Sequence, residues 1–317
     1  MRLKSLILTL VLLAVPATCL AGEKLNVFVS ILPQQYFLEK IGGDLVDISV
    51  MVRPGASPAT YEPTPKQMEK LSAAKAYFSI GVPFEAAWLE RIRAANPKMM
   101  LVETDHGIAK IPMAAHNHHD DHHGGHEEHG DEHKEHGHAE KHHHEHDHGA
   151  HSGEILDPHI WLSTKLAAQI AQNIADGLAK LDPSNAATYQ TNLKAFQKEL
   201  LGLNHQIKSI LDPIPPKKRV FMVFHPSWGY FAKEYGLTQI PIESQGKEPG
   251  PKALQMIIEE GREQGIGVVF VQPQFSQKSA KVIASELGAQ VVPLDPLAEQ
   301  WSENLIKAAK AFTKSLK

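Results

Sequence analysis

"LNVFVSILPQQYFLEKIGGDLVDISVMV", residues 25–52, decides the fold. Its two ends, residues 25–31 and 46–52, are short apolar runs rich in Val, Ile and Phe, the composition of buried strands. Between them "PQQYFLEKIGG" reads as a helix closed by Gly42 and Gly43. A strand, a helix and a strand in immediate succession make a βαβ unit, in which the strands run parallel and the helix covers one face.

The alternation continues outward from that unit. "PTPKQMEKLSAA" starts a helix with proline in its first turn, "AYFSIG" is a third strand, "FEAAWLERIRAAN" a helix and "MMLVET" a fourth strand. A helical pattern runs from Ser163 to Leu181, and a second one of about 27 residues, some 40 Å if unbroken, follows Pro183. Then a second series begins, with strands at "RVFMVF", "TQIPIE", "GVVFVQP" and "AQVVPLD" alternating with helical stretches. The expected class is α/β: two similar parallel-sheet lobes joined by one long rigid helix, with the cleft between the lobes as the default ligand site. The corresponding divisions are 1–21 (signal peptide), 22–115 and 152–184 (N-terminal lobe), 116–151 (an inserted loop), 185–212 (linking helix) and 213–317 (C-terminal lobe).

The first 21 residues carry Arg2 and Lys4, then an apolar core, then a small-residue edge at Ala21, the layout of a cleavable secretory signal. The apolar run is short for a membrane span. Cys19 is the only cysteine, and Pro16, Ala17 and Thr18 before it make a poor lipidation signal. The mature chain therefore has neither a disulfide nor a thiolate ligand, and a metal site in it must use imidazole and carboxylate.

Residues 116–151 hold 16 of the 20 histidines: His116, His118, His119, His122, His123, His126, His129, His133, His136, His138, His142, His143, His144, His146, His148 and His151. Ten acids and two lysines share the run, a net of −8 against −4 for the whole chain. The remainder is about +4 with no basic stripe, so nucleic acid is not an expected partner. With almost no apolar residues the run cannot offset the entropy of ordering, and it reads as a disordered accessory that collects or senses metal. Of the other four histidines, His205 lies among polar neighbours in the long helix and His106 follows the fourth strand. His159 in "DPHIWL" and His225 in "FMVFHPSWGY" stand at loop edges, His225 directly after an apolar strand, where open α/β sheets bind ligands. Asp295 in "VVPLDP" occupies the same kind of strand end.

The motifs "PGASPATYEPTP", "DPHIWLS", "VFHPSWGYFAKEYGL" and "VVPLDPL", in that order, resemble those of the metal-binding solute-binding proteins of bacterial ABC importers, zinc and manganese group. The likeness covers essentially the whole mature chain, including the His-rich insertion, and is nearest to the periplasmic zinc-binding members. It implies two lobes bridged by a long helix, a transported Zn²⁺ held between them, and delivery to a membrane permease with its ATPase. Carried over position by position, it implies His159, His225 and Asp295 as metal ligands, in a periplasmic monomer without enzymatic activity. A nitrogen donor at His225 favours zinc over manganese, with a manganese or iron importer component as the alternative within the family. The family's histidine after "SP" is Ala59 here, which leaves the fourth place to water, to Glu62 or to an imidazole of the run. Two other classes compete. A metal-storage or adhesin protein would rely on the run itself, and a zinc hydrolase would need a His-Glu-x-x-His helix or a general base that the sequence does not display.

Overall fold

The computed structural model describes residues 23–114, 155–243 and 246–316. The signal segment and the sixteen-histidine run lie outside the described residues. The first lobe contains β1 (Leu25–Val29), α1 (Leu32–Gly42), β2 (Val46–Val50), α2 (Pro65–Ser72), β3 (Ala76–Ser79), α3 (Pro83–Ala95) and β4 (Met100–Glu103). Its strands are all parallel, in the order β2-β1-β3-β4. Next come α4 (Thr164–Leu181) and α5 (Ala186–Leu211). The second lobe holds β5 (Val220–Val223), α6 (Gly229–Tyr235), β6 (Thr238–Pro241), α7 (Pro251–Glu263), β7 (Val268–Val271), α8 (Lys278–Leu287), β8 (Gln290–Pro293) and α9 (Trp301–Leu316). It repeats the same parallel order, β6-β5-β7-β8. The two-lobed α/β architecture read from the sequence is the one observed.

Alternation within the second sheet divides its side chains between two apolar layers. Phe221, Val223, Val268 and Phe270 face one cluster, while Met222, Phe224, Val269 and Val271 face another covered by α7 and α8. The first of these clusters does not stop at the lobe boundary. It runs from Val27 and Phe37 through Phe196 of α5 to Phe312 of α9, so both lobes share one core.

Two helices make that continuity. α5, 26 residues long, packs on α1 and α4 in the first lobe and on α9 of the second. α9 is a second bridge that periodicity did not announce. Its Trp301 ring meets Phe37 at 4.9 Å and Tyr36 at 5.8 Å, while Phe312 at its other end meets Phe221 at 4.6 Å and Phe270 at 4.7 Å. Each such fully buried aromatic contributes roughly 1.5–3 kcal/mol, so the junction is fixed by packing rather than by a hinge.

Local differences from the sequence reading have side-chain causes. The first strand ends two residues early because Gln34 Oε1 captures the Ser30 N–H at 2.9 Å and the Ile31 N–H at 3.2 Å. Helix α2 is opened by Thr64. The Gln67 N–H donates to Thr64 Oγ1 at 3.4 Å, and the Thr64 N–H donates to Gln67 Oε1 at 3.0 Å, a reciprocal cap.

Candidate metal centre

His225 sits two residues beyond β5, at the carboxyl end of its sheet. Gln272, just past β7, holds its backbone from both sides. The His225 N–H donates to Gln272 Oε1 at 3.1 Å, and Gln272 Nε2 donates to the His225 carbonyl at 2.6 Å. The ring stacks on Phe275 at 4.7 Å, and its Nδ1–H donates to Glu243 Oε1 at 2.8 Å.

His159 is placed by different means. Pro158 extends the chain before it, and the short 3-10 turn Ile160–Leu162 carries it into α4, whose first turn is capped by Ser163 Oγ accepting from the Leu166 N–H at 3.1 Å. Asp157 Oδ1 accepts from both the backbone N–H of His159, at 2.9 Å, and its ring Nδ1–H, at 2.7 Å. A carboxylate opposite Nδ1 fixes that nitrogen as the donor, which leaves Nε2 as a free lone pair on each ring. The two imidazoles face each other with centroids 5.1 Å apart and planes at 70°. Burial holds the His159 pKa below its ordinary value, with Asp157 opposing the shift. The ring is therefore neutral near pH 7, the form that ligates metal.

The partners of these rings give the site its charge. Asp157 and Glu243 are 1% and 3% exposed, and the second oxygen of each is buried without a hydrogen-bond partner. Two buried carboxylates behind two imidazoles form a pocket that suits a dication. Gly229 is part of the same fit. A Cβ there would stand 2.7 Å from Asp157 Oδ2 and 3.2 Å from Gln239 Nε2, so only glycine lets α6 approach so closely.

Both histidines open into a cavity of about 240 Å³ between the lobes. The second lobe lines it with Gln274, Phe275, Pro296 and Leu297, and the first with Ser57, Pro58, Ala59, Thr60, Val82 and Pro83. Asp295 adjoins this wall but is turned to other partners. Its Oδ1 accepts from Gln274 Nε2 at 2.7 Å and from the Leu297 N–H at 2.9 Å. Among the described residues no three His, Cys, Asp or Glu side chains stand together as a metal-holding group. The structure thus brings His159 and His225 together and leaves Asp295 hydrogen-bonded beside them. Ala59 offers the cavity a methyl group, and Glu62 is exposed outside its lining. His106 lines a separate groove between β4 and α4, and His205 is exposed on α5.

Sequence reasoning missed the residues that support the rings. Asp157 lay in view inside "DPHIWL", two positions from the histidine it orients. Glu243 follows a strand and carried no signal beyond that position. The flanks of the undescribed run also reach this site. The Met113 N–H donates to the Ile155 carbonyl and the Asp157 N–H to the Ile111 carbonyl, each at 2.8 Å, and Met113 lines the cavity.

Residues 27–317 match the family model described as zinc-uptake complex component A, periplasmic. The zinc-binding protein AdcA of Streptococcus pyogenes is 27% identical over 301 residues, 92% of this chain but 54% of that protein. The chain therefore spans about half the length of these streptococcal relatives. The high-affinity zinc uptake system protein ZnuA of Bacillus subtilis is 30% identical over 280 residues, 87% of this chain and 79% of its own length. Among solved structures, a crystal structure of ZnuA superposes with a TM-score of 0.79 at 42% identity, covering 93% of this chain and 100% of that one.

Proposed function

This chain belongs to the periplasmic zinc-uptake complex component A family, and we propose that it captures Zn²⁺ between its lobes and delivers it to an ABC-type permease driven by an ATPase. The observation that carries the reading is the His159–His225 pair, each ring held by a buried carboxylate and each presenting Nε2 to one cavity. Asp295 is the third ligand in this reading. Both of its hydrogen bonds fall on Oδ1, so Oδ2 is the oxygen it turns toward the cation, with the Gln274 contact giving way. Two nitrogens and one oxygen suit zinc better than manganese. Beside Ala59 the fourth place falls to water or to an imidazole of the run.

The chain acts outside the cytoplasm, after removal of residues 1–21, as a monomer. The sixteen-histidine run is an accessory collector, and the pairing of its flanks at the cavity rim supports a short transfer from run to cleft. Divisions of the chain at 22–115, 152–184, 185–212 and 213–317 remain the working domain scheme. The test is a zinc titration of the mature chain, with and without residues 115–154, beside His159→Ala and His225→Ala. One tight equivalent should survive removal of the run and vanish in each single variant. Many weak equivalents that disappear with the run would instead make this a storage or adhesin protein.

A further inference from the structure

We infer that Trp161 is a positioning residue for metal capture, its indole N–H holding the loop that carries Asp295 at a set place relative to His159. The inference rests on the zinc-capture reading above and deepens it. Trp161 is 1% exposed and lies two residues beyond His159, with the two rings edge to face at 5.2 Å. Its Nε1–H donates to the Pro296 carbonyl at 2.8 Å, across 135 residues of sequence. Its own carbonyl accepts from Trp301 Nε1 at 2.8 Å. The Asp295 loop is thus tied at Pro296 to the His159 segment. It is tied again at the Asp295 carbonyl, which accepts from Asn304 Nδ2 of α9 at 2.7 Å.

Other bonds attach the His159 segment to the same lobe. The Tyr230 hydroxyl donates to the Asp157 carbonyl at 2.9 Å. The hydroxyls of Ser163 and Thr164 both donate to Glu234, the latter at 2.6 Å. Although His159 precedes a helix that packs on the first lobe, its segment is wired to the second. The loop bearing Ala59 behaves in the opposite way. Its bonds close within the first lobe: Ala56 N–H to the Arg53 carbonyl, Thr60 N–H to the Ser57 carbonyl, and Tyr61 hydroxyl to Gln67. Bonds to the second lobe therefore hold His159, His225 and Asp295 near one another, with the Asp157 N–H to the Ile111 carbonyl as a tie to the first lobe, which lines the cavity without a carboxylate or an imidazole. Capture then needs a turn of one carboxylate rather than closure of two lobes, and Trp161 sets how far that turn must go.

The experiment uses the full mature chain and compares Trp161→Phe, Asp295→Ala and the double variant. Zinc affinity is read by chelator competition, the geometry by the visible spectrum of the first equivalent of Co²⁺, and folding by the metal-free unfolding midpoint. Trp161→Phe should weaken zinc by about tenfold or more and dim the Co²⁺ band as Asp295→Ala does. In the Asp295→Ala background it should cost nothing further, because both changes remove one interaction. Should Trp161→Phe fold poorly, replacing the indole by the isosteric benzothiophene removes the N–H and keeps the shape, with the same expectations.

An affinity within about twofold of the unmodified chain, or losses that add in the double variant as those of a mere packing residue would, overturns the strut. Two further results overturn the premise and the inference with it: an unmodified chain with no tight equivalent, or Asp295→Ala binding zinc as tightly as the unmodified chain.

Discussion

Each lobe gathers a glutamine and a buried glutamate near the carboxyl end of its first strand, at neighbouring but not identical positions, and the two clusters differ in what they leave free. In the first, Ser30 follows β1 at the carboxyl end of the sheet, and Gln34 and the buried Glu85 gather around it. Ser30 Oγ bonds Tyr77 at 2.6 Å and donates to Glu85, which also accepts the Ile80 N–H at 2.9 Å and the Gly81 N–H at 2.7 Å. In the second, His225 follows β5, and Gln272 and the buried Glu243 gather around it. A glutamine and a buried carboxylate serve both crevices. A hydroxyl spends its one proton on the carboxylate and closes the first, whereas an imidazole spends one nitrogen and keeps another for a ligand.

That contrast can be broken at its strongest point by His225→Ser, which gives the second crevice the chemistry of the first. Zinc affinity in the chain lacking residues 115–154 should fall by about a thousandfold, roughly 4 kcal/mol, while circular dichroism stays that of the folded protein. Affinity left intact would remove His225 from the site. Glu243→Gln sharpens the contrast, since it keeps the shape and removes the charge behind the ring. A loss of about 10- to 100-fold is expected, with a displaced His225 imidazole signal in NMR. Ala59→His tests the first lobe as a wall. Adding a nitrogen donor to the cavity rim should tighten zinc by about tenfold, and calorimetry that shows no gain would mean the loop stands too far off to ligate.

Glu85→Gln should have the smallest effect on metal, leaving zinc affinity within about twofold, because the first crevice is closed. Its effect belongs to folding. Burial raises the Glu85 pKa from 4.5 to about 7, with the hydroxyl of Ser30 and the N–H groups of Ile80 and Gly81 opposing the shift. The folded chain thus holds this proton more tightly than the unfolded one. The stability it contributes is complete below about 4.5 and is lost as pH rises through about 7. Wild-type stability should decline over that window more steeply than that of Glu85→Gln, by an amount on the order of 3 kcal/mol. Parallel slopes would show that Glu85 titrates as an exposed carboxylate does.

Much of the fold was legible because each βα unit declares itself locally. Residues 25–52 alternate from a β-branched run to a helical spacing and back, and the structure has β1, α1 and β2 there. His159 and His225 also stood out locally, His225 just after an apolar strand and His159 at a loop edge before a helix. α9 as a second bridge did not. Its spacing shows an apolar face, but nothing in it says that Trp301 meets Phe37 in the other lobe.

The amino-acid sequence by itself determined the α/β class, the repetition of the lobes, the absence of cysteine beyond residue 19 and the two imidazoles at loop edges. Tertiary structure alone decided which carboxylate stands behind which ring, that Asp295 is turned to Gln274, and that the His159 segment is bound to the second lobe through Trp161 and Pro296. The physical reason is one of range. Periodicity records which face of a single element avoids water, over a few residues at a time. A hydrogen bond between residues 161 and 296 leaves no trace in either neighbourhood, because its partners become neighbours only when the helices pack.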